Sequence, residues 1–217
     1  MTKASEAVSM RASSLSERLV SIRSLSNVLL VLYAVLLALG LGLGSAYWVM
    51  NEEPPFGVVR LGPWKAWPKL GSPEADPYMR AIMARRGEVP LAAGEGLTLI
   101  AAVDSEERRL DSACAYRIGF TVPAARLWTL TAYDEAGRLV NSELGRSGFT
   151  SAEVIRDSQD RFQIAMARSL QPGNWLQLPA SGPFTIALRL YDPPGAAGSI
   201  LSDDTVFPSI ERLECGA

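Results

Sequence analysis

The spacing of apolar and polar positions changes character twice along this chain. Across 28–49, 22 successive positions carry no charge, and as a helix rising ~1.5 Å per residue such a run is about 33 Å long. That length crosses the ~30 Å hydrocarbon core of a bilayer with slight tilt, so one transmembrane helix is expected there. Over 50–73 the pattern is interrupted by Pro54, Pro55, Pro63, Pro68 and Pro73, which forbid a regular helix and favour an extended linker. Trp64 and Trp67 within it either anchor at the headgroups, strap onto the domain that follows, or offer a stacking surface for a sugar or peptide.

A short helix comes next. Asp76 is placed to cap it, Pro77 to fill its first turn, and Tyr78, Met79, Ile82 and Met83 to form its apolar stripe. Arg85 and Arg86 suit its C-terminal dipole and Gly87 ends it. From 97 onward, short runs alternate with turn residues: 97–103, 113–121, 126–133, 138–140, 161–168, 174–176 and 183–191. In the last, Phe184, Ile186, Leu188 and Leu190 share one face. Asp134-Glu135-Ala136-Gly137 reads as a turn with glycine in the left-handed position. Many short strands and little helix predict a mainly β fold, an antiparallel sandwich or barrel-like double sheet over 74–217.

Charge gives this layout an orientation. Residues 1–27 hold Lys3, Arg11, Arg18 and Arg23 against Glu6 and Glu17. Of the 21 basic and 23 acidic residues, 17 basic and 21 acidic lie beyond residue 50. With the arginines ahead of the apolar run and Glu52 and Glu53 behind it, the positive-inside rule puts 1–27 in the cytoplasm and 74–217 outside. Leu15, Leu19 and Ile22 allow a short surface helix in the tail, beside the plainer reading of a solvated basic tail. Gly44-Ser45-Ala46 resembles a cleavage site, but the run is longer than an ordinary signal h-region, so an uncleaved signal-anchor is expected. Ala34, Ala38, Gly42 and Ala46 recur every fourth residue, a spacing that lets membrane helices pack closely, or simply the composition common in such helices.

The acidic soluble part argues against nucleic-acid binding. The chain contains no histidine, which removes Ser-His-Asp and Cys-His nucleophiles and imidazole metal sites. No cofactor or metal is expected. The two cysteines, Cys114 and Cys215, form a disulfide if the domain lies in an oxidising compartment, or are two separate buried thiols otherwise.

The run 127–134 (Leu-Trp-Thr-Leu-Thr-Ala-Tyr-Asp) with Gly137-Arg138-Leu139, then Asn174-Trp175-Leu176, Gly182-Pro183-Phe184 and 188–192, resembles the bacterial family called domain of unknown function 1214. The likeness extends over about 62–215. It implies a jelly-roll β-sandwich and, as a partner, the companion sandwich called domain of unknown function 1254, which often precedes it. Here a membrane anchor stands in that place, and Gln177-Leu178-Pro179 follows Asn-Trp-Leu where the family more often has proline at once. The resemblance implies no activity.

Three functions are weighed. The first is a structural or interaction module that docks the companion sandwich or a second copy. The second is a carbohydrate or small-ligand module using Trp128, Arg146, Asn174, Trp175, Arg189 and Tyr191, against the plain alternative that these pack the core or face solvent. The third is a glycoside-cleaving enzyme using two of Asp134, Glu135 and Asp192, each of which turn chemistry already explains.

Overall fold

In this computed structural model the described residues are 2–51, 57–120, 122, 124–140, 142, 145–194, 199–201 and 205–216, with side chains from residue 27 onward except those of Phe120 and Ser199. Glu52, Glu53, Pro54 and Pro55, and the side chains of Leu15, Leu19 and Ile22, lie outside them. The chain divides into two compact units, Met1–Glu53 and Pro54–Ala217.

The first unit is one helix, α1 (Thr2–Asn51). It carries Asn27–Asn51, 25 residues of mean hydropathy 2.4, long and apolar enough to cross a bilayer. The helix continues through the tail instead of beginning at the apolar run. Ala34, Ala38 and Gly42 are exposed on it and Ala46 is half-buried.

The second unit begins with β1 (Val59–Leu61) and β2 (Trp64–Ala66). The first strands thus lie upstream of position 74, inside the stretch expected to be linker or strap. Gly62, at φ 57°, turns the hairpin between them. Trp64 is fully buried and its indole Nε1 donates to the Pro208 carbonyl at 2.8 Å, which is the strap alternative in its strongest form. Helix α2 (Pro77–Arg86) follows, and the expected devices are in place. The Asp76 carboxylate accepts from Tyr78 N at 2.8 Å and Met79 N at 3.3 Å, Gly87 closes the helix at φ 67°, and Met79 and Ile82 are buried.

Eight more strands complete the sandwich: β3 (Gly96–Ala101), β4 (Cys114–Phe120), β5 (Leu127–Asp134), β6 (Gly148–Thr150), β7 (Phe162–Ala167), β8 (Asn174–Gln177), β9 (Phe184–Tyr191) and β10 (Ser209–Cys215). They form a six-stranded sheet, β1-β2-β3-β9-β5-β6, and a four-stranded sheet, β10-β4-β7-β8. Alternation sets the faces. Leu97, Leu99, Trp128, Leu130, Ile186, Leu188 and Leu190 turn inward from the large sheet; Tyr116, Ile118, Phe162, Ile164, Met166, Leu176 and Ile210 do so from the small one. Two aromatic pairs tie the layers, Trp128 stacked on Phe162 at 4.9 Å and Tyr116 edge-on to Phe184 at 5.6 Å.

One pairing departs from the antiparallel pattern. β7 and β8 run parallel, Ile164 opposite Asn174, although parallel neighbours normally need a crossover of a dozen or more residues and only 168–173 intervene here. Asn174 explains how this holds. The side of β7 away from β4 is shared, since Arg156 bridges Phe162 and β8 pairs from Ile164 onward. Asn174 spans the break: its amide oxygen accepts from Ile155 N at 2.7 Å, and its nitrogen donates to the carbonyls of Ile155 and Gln163, both at 2.9 Å. A side-chain amide thus stands in for a peptide unit of the ladder.

Three turns share one construction. In Asp104–Arg108, Asp134–Arg138 and Asp157–Arg161, the Asp N–H donates to the Arg carbonyl at 2.8 Å each time. The Asp carboxylate accepts from the Arg N–H at 3.0, 2.9 and 2.9 Å and from its Nε at 2.9, 3.0 and 2.9 Å. The residue before each Arg is left-handed: Glu107 at φ 62°, Gly137 at 74°, Asp160 at 60°.

The Cys114–Cys215 disulfide is formed and closes a separation of 101 residues, a loop length worth about 4.7 kcal/mol on the chain-entropy model. It joins residues already opposite each other in the β4–β10 pairing.

Candidate functional site

The six residues considered for ligand binding fall in several places. Trp128 lies in the core, committed to its stack with Phe162. Asn174 is buried and spends its amide on the sheet, as above. Trp175 is on the outer face of the small sheet, half-buried, with Nε1 donating to Ala167 O at 3.1 Å. Arg189 and Tyr191 are on the opposite outer face, that of the large sheet, since they alternate with the inward Leu188 and Leu190. Arg146 lies over the ring of Phe149 at 4.5 Å. A groove built from all six does not form, because adjacent strand positions point to opposite faces.

The carboxylates considered for glycoside cleavage are occupied. Asp134 closes its turn on Arg138, Glu135 pairs with Arg109 at 3.5 Å, and Asp192 pairs with Arg126 at 3.1 Å. The Asp134 carboxyl is held below its ordinary value, first by the Arg138 N–H, with burial opposing. That is an acid kept ionised and structural, the opposite of the raised value a general acid needs. Among the described residues no three His, Cys, Asp or Glu side chains gather as a metal-ligand set.

Two surfaces remain. The outer face of the large sheet is made of cross-strand rows: Thr98, Arg189, Thr129 and Thr150 in one, and Lys65, Ile100, Ala187, Thr131 and Gly148 in the next. Leu127, Tyr133, Thr185 and Tyr191 also belong to it, its side chains on β3, β5, β6 and β9 are half-buried with Ala187 buried, and Arg60, opposite Lys65, is exposed at its β1 edge. Arg189 is held flat by Tyr133, Nη2 donating to the phenol oxygen at 2.8 Å with the guanidinium 5.6 Å from the ring centre. The outward positions of β3, β5, β6 and β9 include no carboxylate.

The small sheet's outer face carries an open groove of about 490 Å³. Arg117 of β4 and Gln163 and Ala165 of β7 form its floor, Leu213 of β10 one side, and Ile155, Arg156, Asp157 and Arg161 with the turn at Gln171, Pro172 and Gly173 the other. The Asp157 carboxylate is turned into its own loop by the N–H groups of Gln159 and Arg161. Of the residues considered from sequence, only Asn174 borders this groove. Of its other polar groups, Arg117 and Gln163 sit at outward positions of β4 and β7, where an arginine or glutamine reads as a solvated face, and Arg156, Asp157, Arg161 and Gln171 sit in the flanking loops.

The fold and these surfaces define a β-sandwich module with two dissimilar outer faces and a separate apolar helix. In sequence, the family described as "Protein of unknown function (DUF1214)" matches residues 95–195, from just before β3 to just past β9. The stretch is shorter than the 62–215 over which resemblance was read, and excludes β1, β2 and β10. Among solved structures, the chain is similar to the VPA0106 protein from Vibrio parahaemolyticus, with TM-score 0.53 and 21% identity, over 65% of this chain and 36% of that one. This is a likeness of fold, and the chain spans about a third of that protein's length. An uncharacterized protein from Burkholderia cenocepacia is also similar, at 14% identity and TM-score 0.37, over 68% of this chain and 45% of that one. No curated protein matches.

Proposed function

We propose that this protein is a membrane-anchored envelope module that acts by docking a second β-sandwich on the outer face of its large sheet. The observation that carries this is the make-up of that face. Its threonines, Ile100, Leu127, Tyr133, Tyr191 and a single immobilised Arg189 form a half-buried surface free of carboxylates at β3, β5, β6 and β9. Interfaces are enriched in tyrosine and arginine and depleted of acidic residues, and sheets pack face to face at ~10 Å through such positions. The partner is a companion sandwich of the domain of unknown function 1254 family, or a second copy. The Vibrio structure supports a companion, because the part matched there is 36% of a longer chain. Ala34, Ala38, Gly42 and Ala46 would extend the contact within the bilayer. The basic tail and the disulfide support a cytoplasmic N-terminus on the inner membrane and a periplasmic domain.

The test uses full-length protein in its own membranes, with a photo-crosslinking residue at Thr129. A stoichiometric crosslink to a companion sandwich or a second copy is expected, and it should be lost when Ile100→Glu places a charge on the face. Recovery of the chain uncrosslinked from every such position on this face would sink the docking reading.

A further inference from the structure

The docking reading leaves the groove on the opposite face unexplained. Three of its lining side chains, Arg117, Arg156 and Arg161, are cationic, on a part of the chain with 17 basic against 21 acidic residues. Internal contacts leave most of their donors outward. Arg117 approaches Glu211 only to 3.9 Å, beyond hydrogen-bonding distance. Arg161 spends Nε on Asp157 Oδ2 at 2.9 Å, and Arg156 spends Nη1 on Asp160, on its carbonyl at 3.1 Å and its carboxylate at 3.5 Å. A guanidinium has five N–H donors in a fixed fork, so each retains donors for an incoming oxyanion. The one acid in the lining, Asp157, already faces its own turn.

The rim adds a second property. Ile155 is 68% exposed and Leu213 44% exposed, large aliphatic side chains left in water on opposite sides of a cationic floor. A cavity of about 490 Å³ is within the ~300–1,000 Å³ range of small-ligand sites.

We propose that this groove binds an amphiphilic oxyanion, a phosphate or carboxylate held by Arg117, Arg156 and Arg161 whose apolar portion lies between Ile155 and Leu213. Either a free small molecule or the headgroup end of an anionic lipid supplies that chemistry. The site is independent of the docking face, which lies across the sandwich.

The experiment is calorimetric titration of the full-length protein in phosphatidylcholine nanodiscs with hexyl phosphate, hexanoate and hexanol. Hexyl phosphate should bind in the millimolar range or tighter, and hexanol about tenfold or more weakly, since a charge-assisted contact is lost. Arg117→Gln should weaken hexyl phosphate about tenfold while Arg117→Lys keeps most of the affinity. Arg189→Gln, on the other face, should leave binding unchanged. Repeating the titration in nanodiscs containing phosphatidylglycerol separates the sources: competition assigns the site to a lipid headgroup, and an unchanged isotherm to a free ligand. Equal binding of hexanol, no binding of either anion, or an Arg117→Gln variant of unchanged melting temperature and affinity would overturn the proposal.

Discussion

Asp104 shows at a single residue how this fold uses charge. It is buried, yet its carboxylate accepts from the N–H groups of Glu106 and Arg108 and from Arg108 Nε, and it pairs with Arg212 Nε at 3.1 Å. Burial is the largest single influence on its pKa and raises it. The Arg108 N–H and guanidinium and the Glu106 N–H together outweigh burial and hold the carboxyl below its ordinary 3.8. A group whose folded value is lowered stabilises fully above its unfolded value of ~3.9 and loses that contribution as pH falls through the folded one. Asp104→Asn should therefore cost about 2–3 kcal/mol at neutral pH, through an uncompensated Arg212. Urea midpoints of variant and wild type should converge as pH drops below ~4. The turns of this build also offer a gain. Glu107 and Asp160 hold the left-handed position that glycine fills at Gly137, where a side chain costs ~1–2 kcal/mol. After the unfolded-state entropy of glycine is subtracted, Glu107→Gly should stabilise by about 0.5–1 kcal/mol, read as a higher melting temperature.

At the scale of elements, Asn174 is the joint on which the small sheet depends. Replacing it by leucine removes three hydrogen bonds and leaves the Ile155 N–H and the Ile155 and Gln163 carbonyls without the amide they pair with. Buried groups left unpaired cost ~1–3 kcal/mol each, so Asn174→Leu should lose at least about 2 kcal/mol and speed hydrogen exchange at Ile155 before the β4–β7 amides. Alternation made the strands β3, β4, β5, β7 and β9 legible, together with the inward face of β9. β1 and β2 were hidden because prolines flank three-residue strands, and β6 because three residues show no period. The parallel pair was hidden because its cause is a side chain acting as backbone, though Asn174-Trp175-Leu176 was visible as a motif. The recurring Asp-x-x-x-Arg spacing was also in plain view, as a signal for turns of one build. The candidate site was mostly illegible. Alternation tells that Arg117 and Gln163 face away from the core, but not that residues 155–157 and 171–173 rise beside them.

Across the whole domain, the C-terminal strand acts as a clasp. β10 lies along β4 and receives contacts from two distant segments, β2 and the Asp104–Arg108 turn. The Trp64 indole reaches Pro208 just ahead of it, Ser105 brackets Ile210 by donating its N–H at 2.9 Å and accepting at Oγ at 2.9 Å, and Asp104 meets Arg212. The disulfide closes the far end. Non-covalent ties thus concentrate at 208–212, and Cys215 lies past the irregularity between Arg212 and Cys215. This division predicts a graded response to losing the cross-link. Cys215→Ser with Cys114→Ser should cost about 3–5 kcal/mol, chiefly by releasing the unfolded chain, with near-ultraviolet circular dichroism preserved because the bonds at 208–212 persist. Adding Asp104→Asn should then free the strand outright, so that the triple variant loses more than the sum of the two effects. Strict additivity in urea titrations would show the two ends of β10 to be held independently. A greater-than-additive loss would show one cooperative clasp, and, because Leu213 beside Arg212 forms one side of the groove, should also weaken hexyl phosphate binding there.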